Sequence, residues 1–103
     1  MRLRTAIQKD PGNCWTVSEI ADYLQVSPGY LLNIYKKAFG VSCMDDVIRS
    51  RIRLAKEFLI HSAESIADIA SHCGYQNVEH FCRQFKKITG ESPRTYQKQY
   101  KYY

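Results

Sequence analysis

The sequence predicts an all-α fold of about seven helices, in which one helical unit occurs twice around a long middle helix. Three observations predict it. Apolar residues recur at helical spacing through nearly the whole chain, and no strand pattern of useful length interrupts them. The pattern that begins at Val17 also returns at Ile66. Val17, Ile20, Ala21, Leu24 and Val26 map onto Ile66, Ile69, Ala70, Cys73 and Tyr75, each 49 positions later. Leu31, Tyr35, Lys36, Lys37, Gly40 and Ser42 map onto Phe81, Phe85, Lys86, Lys87, Gly90 and Ser92, each 50 positions later. One residue is therefore inserted in the second copy's turn.

The first helix is short. Leu3, Ala6 and Ile7 form one face, and Pro11-Gly12-Asn13 is a turn by composition. Thr16 with Glu19 three residues later starts the next helix as a capping box, and Val17, Ile20, Ala21 and Leu24 form its apolar face. Gln25-Val26-Ser27 turns the chain. Ser27 and Pro28 read as N-cap and first residue of a helix that carries Leu31, Ile34, Tyr35 and Ala38 inward and stops at Gly40. Residues 44–60 form the longest uninterrupted helical pattern, with Ile48, Ile52, Ala55 and Leu59 as one stripe, widened by Val47, Leu54 and Phe58. Asp45 and Asp46 lie in its first turn, where the helix dipole favours negative charge. Ser65 and Asp68 open the second copy as a variant capping box, Asn77 caps the helix that ends at Gly90, and Ser92-Pro93 starts a last helix with Tyr96 and Tyr100 on one side. The expected organisation is a first helix-turn-helix subdomain over 1–43, a linker helix over 44–60 and a second subdomain over 61–103. Two units this small are marginal alone, so a shared element is expected.

A formal charge of +5 favours a polyanionic partner, although charge alone is a weak signal. No run approaches the roughly 20 apolar residues needed to span a bilayer, and the first residues do not form a signal peptide. No membrane partner is expected, and the expected compartment is a reducing cytoplasm. The four cysteines Cys14, Cys43, Cys73 and Cys82 are scattered, with no closely spaced pair of the kind a zinc or redox site uses. Cys73 takes an apolar place in the repeat and reads as core. No metal or other cofactor is expected. His61, His72 and His80 are dispersed and there is no glycine-rich phosphate loop, so the chain does not read as an enzyme. The competing reading is a helical protein-protein interaction module without specific DNA readout. It accommodates Tyr96, Tyr100, Tyr102 and Tyr103 but not the repeated Lys-Lys steps. Tyr96 reads most simply as core, and Tyr102 and Tyr103 as a frayed end.

In a helix-turn-helix unit the first helix braces and the second lies in the major groove, reading bases from its N-terminal half. The positions the core does not claim are Pro28, Gly29, Tyr30, Leu32, Asn33 and Lys36 in the first copy. In the second they are Val78, Glu79, His80, Cys82, Arg83, Lys86 and Lys87.

Ile20-Ala21, Leu31 followed by Tyr35-Lys36-Lys37 and Gly40, Arg51 and Ala55 in the middle helix, Ile66-Ala-Asp-Ile69-Ala70, Gly74-Tyr75, Phe81, Arg83, Phe85-Lys86-Lys87, Gly90, Ser92-Pro93 and Tyr96 together resemble the C-terminal DNA-binding domain of AraC/XylS family transcription regulators. The resemblance runs from about Leu3 to Lys98. It implies homeodomain-like three-helix subdomains joined by the long helix, each inserting one recognition helix into successive major grooves of double-stranded DNA in a bacterial regulator. It implies a larger parent protein with a separate effector or dimerisation domain, and RNA polymerase as a further partner. The family's base-contact positions fall on Gly29, Leu32, Asn33, Val78, Glu79, Cys82 and Arg83.

Chemistry fits several of these positions. Asn33 matches adenine, Arg83 guanine and Glu79 a cytosine amino group, while Leu32, Val78 and Cys82 can pack on thymine methyls. Arg83 and Asn33 fit phosphate contact or plain solvation as well, and Glu79 is repelled by phosphates unless it finds a donor. Phosphate contacts are expected from Thr16, Tyr30, Lys36, Lys37, Ser65, His80, Lys86 and Lys87. Arg49, Arg53 and Lys56 are weaker candidates on a charged helix face. The chain departs from the family where Asn33 replaces a frequent Arg, where Asp46 replaces an aromatic residue, and where Gln97 replaces an Arg. The Asp46 departure places the local packing of the middle helix in question, and the Gln97 departure suggests a lost phosphate or intramolecular contact.

Overall fold

The computed structural model describes residues 2–13 and 15–101. Cys14 and the Tyr102–Tyr103 end lie outside the described residues. Seven helices, and no strand, occur among them: α1 Arg2–Lys9, α2 Val17–Leu24, α3 Pro28–Phe39, α4 Cys43–His61, α5 Ile66–His72, α6 Val78–Thr89 and α7 Pro93–Tyr100. The chain separates into two compact units, Met1–Ser50 and Arg51–Tyr103, with the boundary inside α4.

The repeat extends to the helix ends, where a side-chain oxygen accepts one of the orphan N–H groups of the first turn. Thr16 Oγ1 accepts from Glu19 N, and Ser65 Oγ from Asp68 N. Ser27 Oγ accepts from Tyr30 N at the start of α3, and Asn77 Oδ1 from Glu79 N and His80 N at the start of α6. Ser42 and Ser92 do the same for α4 and α7. Gly40 and Gly90 end α3 and α6 with φ of 76° and 86°, a conformation that costs a Cβ-bearing residue roughly 1–2 kcal/mol. In the turn after α2 that same left-handed conformation falls on Gln25, at φ 58°, where the second copy has Gly74 at 93°.

In the first unit Ile7, Ile20, Ala21, Leu31, Tyr35, Cys43 and Val47 form the core, with Leu3, Trp15, Val17, Val26, Phe39 and Met44 against it. Three residues expected on inward faces are exposed: Ala6, Ala38 and Leu24, the last at 41% in the final turn of α2. Ala6 lies about 100° around α1 from Ile7, on the flank of the buried face. Ala38 sits in the last turn of α3, and its equivalent Ile88 in the last turn of α6 is likewise exposed, at 44%.

Asp46 is buried, and its packing is resolved by polar partners. The Tyr35 hydroxyl donates to Asp46 Oδ2, and Arg4 Nε lies 2.9 Å from the same oxygen. The Arg4 guanidinium also stands 4.6 Å over the Phe39 ring, whose edge meets Tyr35. One carboxylate thus ties α1, α3 and α4 together where the family pattern has an aromatic ring.

The second unit is built on rings. Tyr75, Phe81, Phe85, Tyr96 and Tyr100 pack in sequence, with successive centroids 5.2, 5.8, 5.5 and 4.7 Å apart. Ile52, Ala55, Leu59, Ile69, Ala70 and Cys73 are also buried there. The Tyr75 hydroxyl donates to Gln84 Oε1 on α6. Gln97 has an intramolecular role: its Nε2 donates to the Leu59 carbonyl at 3.3 Å, joining α7 to α4.

Two substitutions test this account. Gln25→Gly relieves the left-handed strain and should raise stability by about 1 kcal/mol, a rise of several degrees in the thermal midpoint; an unchanged or lower midpoint contradicts it. Asp46→Ala strips Tyr35 of its acceptor and Arg4 of its counter-charge in a buried site. It should cost about 2–3 kcal/mol in denaturant unfolding, with Arg4's partial exposure holding the cost to the lower part of the range for broken buried pairs.

Candidate nucleic-acid interface

A twelve-residue helix can devote one side to the core and leave the other to a ligand, and α3 and α6 divide alike. Leu31 and Tyr35 anchor α3, Phe81 and Phe85 anchor α6, and all four are fully buried. At 100° per residue, the position midway between an i, i+4 pair points about 180° from it. That position is Asn33 on α3 and Arg83 on α6, and both are exposed. Gly29, Asn33 and Lys36 share the outward face of α3, with Leu32 on its flank. Glu79, Arg83, Lys86 and Cys82 take the same places on α6.

The flank position behaves differently in the two copies. Leu32 is 40% exposed, whereas Cys82 is half-buried, and burial together with the Glu79 carboxylate pushes its thiol pKa up. Val78 lies on the core side of α6 by angle, but it is the first residue of the helix and remains 38% exposed. Gly29 is not required by packing: a Cβ there would meet nothing within 4 Å.

The expected phosphate contacts fall at the ends of the bracing and reading helices. Thr16 and Ser65 are exposed caps whose oxygens accept backbone N–H groups, leaving each hydroxyl proton to donate outward. Tyr30 and His80 occupy equivalent third positions of α3 and α6. Tyr30 is 56% exposed, while the His80 ring packs edge-on to Tyr75 at 5.5 Å. Lys36, Lys37, Lys86 and Lys87 are exposed in the last turns, where they also complement the helix dipole. Arg49 and Arg53 are exposed, but Lys56 is drawn over the Tyr96 ring, 5.8 Å from its centroid. Among the described residues no group of three His, Cys, Asp or Glu could hold a metal ion, and no helix is long and apolar enough to cross a membrane. The supports behind the interface, Asp46 and Gln84, were not readable as such in the sequence, because their partners are tertiary contacts.

A family described as a helix-turn-helix domain matches residues 20–99. The chain belongs to this family, in the group of AraC-like transcription regulators. It is similar to the HTH-type transcriptional regulator YtdP of Bacillus subtilis, 38% identical over 84 residues that make up 82% of this chain and 11% of that protein. It spans well under half of other curated relatives as well. Among solved structures it resembles the C-terminal domain of AraT, a response regulator from Geobacillus stearothermophilus, with a TM-score of 0.92, 32% identity, and 99% of this chain and 85% of that one covered. The fold is also that of the DNA-binding domain of AdpA, a global transcriptional factor solved with a target DNA, at a TM-score of 0.88 and 19% identity over 96% of this chain and 89% of that one.

Two buried groups give the mount of α6 a pH dependence. Burial pushes the Cys73 thiol from 9.0 up to about 11 and the Tyr75 phenol from 10.0 up to about 12, with Arg51 opposing both. Each is held neutral in the fold, so its contribution is complete below the unfolded value and is lost as pH rises through the folded one. Stability should therefore fall between pH 9 and 12, by about 3 kcal/mol from each group. Thermal melts across that range should show Cys73→Ala removing the earlier part of the decline; a flat profile contradicts it.

Proposed function

We propose that this chain is the duplex-reading part of a bacterial transcription regulator, with α3 and α6 as recognition helices in successive major grooves. The observation that carries the reading is the repeated outward face: Gly29, Leu32, Asn33 and Lys36 recur as Glu79, Cys82, Arg83 and Lys86, opposite fully buried anchors. The same anchored helix with the same lysine ending suits a partner that repeats itself, as a duplex does about every 34 Å.

In this reading bases are contacted by Gly29, Leu32, Asn33, Val78, Glu79, Cys82 and Arg83. Phosphates are held by Thr16, Tyr30, Lys36, Lys37, Ser65, His80, Lys86 and Lys87. The domain binds rather than catalyses, needs no cofactor, and works in the cytoplasm. A further domain of the parent protein supplies effector sensing or dimerisation, and RNA polymerase is the downstream partner. A monomer with two reading helices can occupy an asymmetric site, so a dimer is not required.

Salt titration of duplex binding tests the reading. Six neutralised phosphates give a log–log slope of about −5, and Lys86→Ala should reduce its magnitude by about 1 on every sequence. Arg83→Ala should instead cost roughly 1–3 kcal/mol on a selected site and relax specificity at one position. Absence of duplex binding even at low salt would sink the proposal and favour a protein-interaction module.

A further inference from the structure

The two reading faces sit on equivalent scaffolds but carry different chemistry. On α3 the outward position Gly29 has no side chain although nothing in the fold crowds it. Leu32 and Tyr30 beside it are 40% and 56% exposed. Between the N-cap and Lys36 that face carries no charge. On α6 the position of Gly29 is Glu79, that of Asn33 is Arg83, and that of Leu32 is the half-buried Cys82, which offers little apolar surface; Val78, 38% exposed, stands on the core side of the helix by angle, off this outward face.

We infer, resting on the duplex-binding reading above, that the target is chemically asymmetric: α3 takes an A·T step and α6 a G·C step. Exposed leucine gains by contact only with an apolar group, and the apolar group on major-groove base edges is the thymine C5-methyl. The missing side chain at Gly29 lets the first turn of α3 come close enough for Leu32 to reach it. Asn33, pointing directly away from the core, offers one donor and one acceptor, which match N7 and the N6 amino group of adenine. Arg83 at the same angle on α6 has donors only, matching O6 and N7 of guanine. Glu79, one turn earlier on that face, is an acceptor only. Among phosphates it is tolerated where it meets a donor, and the cytosine N4 amino group is the major-groove donor of a G·C pair.

The test starts from duplexes selected out of a random pool by the whole chain at near-physiological salt. The expected winner has an A·T-containing half and a G·C-containing half about one helical turn apart. Replacing thymine by deoxyuridine deletes only the methyl group. At the step read by Leu32 this should weaken binding about fourfold, the worth of one buried methyl. Leu32→Ala should bind the thymine and uridine duplexes alike, which also identifies the half that α3 reads. Re-selection with Asn33→Arg should turn one adenine into guanine in that half and leave the other unchanged. A G·C-rich first half, or indifference to the methyl in the wild-type chain, overturns the inference. Equal, salt-sensitive binding to all duplexes overturns it while leaving duplex binding intact, and no binding at low salt overturns both.

Discussion

Everything in this protein depends on how two short helices divide their circumference. A reading helix has to be held rigidly and yet present most of one side to a ligand. α3 and α6 meet both demands with a pair of fully buried side chains one turn apart, Leu31 with Tyr35 and Phe81 with Phe85. Two anchors on one turn fix both the tilt and the rotation of a helix, whereas one would leave it free to roll. The residue midway between them is then forced outward, and side chains one turn to either side follow it. Caps supply partners to some of the orphan groups at each end, N–H groups at the start of the helix and a carbonyl at its stop. The outward face can therefore vary without disturbing the fold, as the contrast between Gly29 and Glu79 shows.

The two copies reach this geometry by different physics. The second unit anchors α6 in a continuous run of rings from Tyr75 to Tyr100. Ring packing is tolerant: it has no charge to satisfy and distributes its contribution over many contacts. In the first unit Tyr35 instead donates to a buried carboxylate that also faces Arg4. That arrangement is directional and demanding, since loss of one partner leaves a polar group buried without compensation. It makes α1 part of the support for α3, because Arg4 belongs to α1. The turns differ in the same sense: the second copy spends a glycine on its left-handed residue, whereas the first strains Gln25 there.

Local features were legible in the sequence because local physics sets them. The seven helices, the N-caps at Thr16, Ser27, Ser65, Asn77 and Ser92 and the glycine stops at Gly40 and Gly90 follow from residue type and spacing within a turn or two. The outward faces were legible for the same reason, as the complement of a 3.6-residue stripe. Contacts between distant residues were not. Asp46 looked like a departure from an aromatic position, and no local pattern points from it to Arg4. Gln97 reaches the Leu59 carbonyl across 38 residues. Periodicity also overstated the inward face at Ala6, Leu24 and Ala38, which lie on a flank or in a last turn and are exposed.

The lysine pairs connect stability to binding. Lys36, Lys37, Lys86 and Lys87 stand in last turns, where the partial negative charge of the helix C-terminus already favours them in the free protein. A phosphate approaching the same side chains competes with that interaction and does not find them idle. In the proposed complex, part of their Coulombic attraction to DNA is thus offset by what they give up at the helix end, and the two contributions respond to salt in the same direction. At the opposite end of each helix the caps occupy part of the first turn's N–H groups: Tyr30 N in α3, and Glu79 N and His80 N in α6. In the proposed reading the first two turns carry the base-facing side chains together with Tyr30 or His80, and the last turn adds a pair of lysines. On that proposal, a substitution in the first two turns can change which duplex is chosen while leaving the last-turn lysines in place.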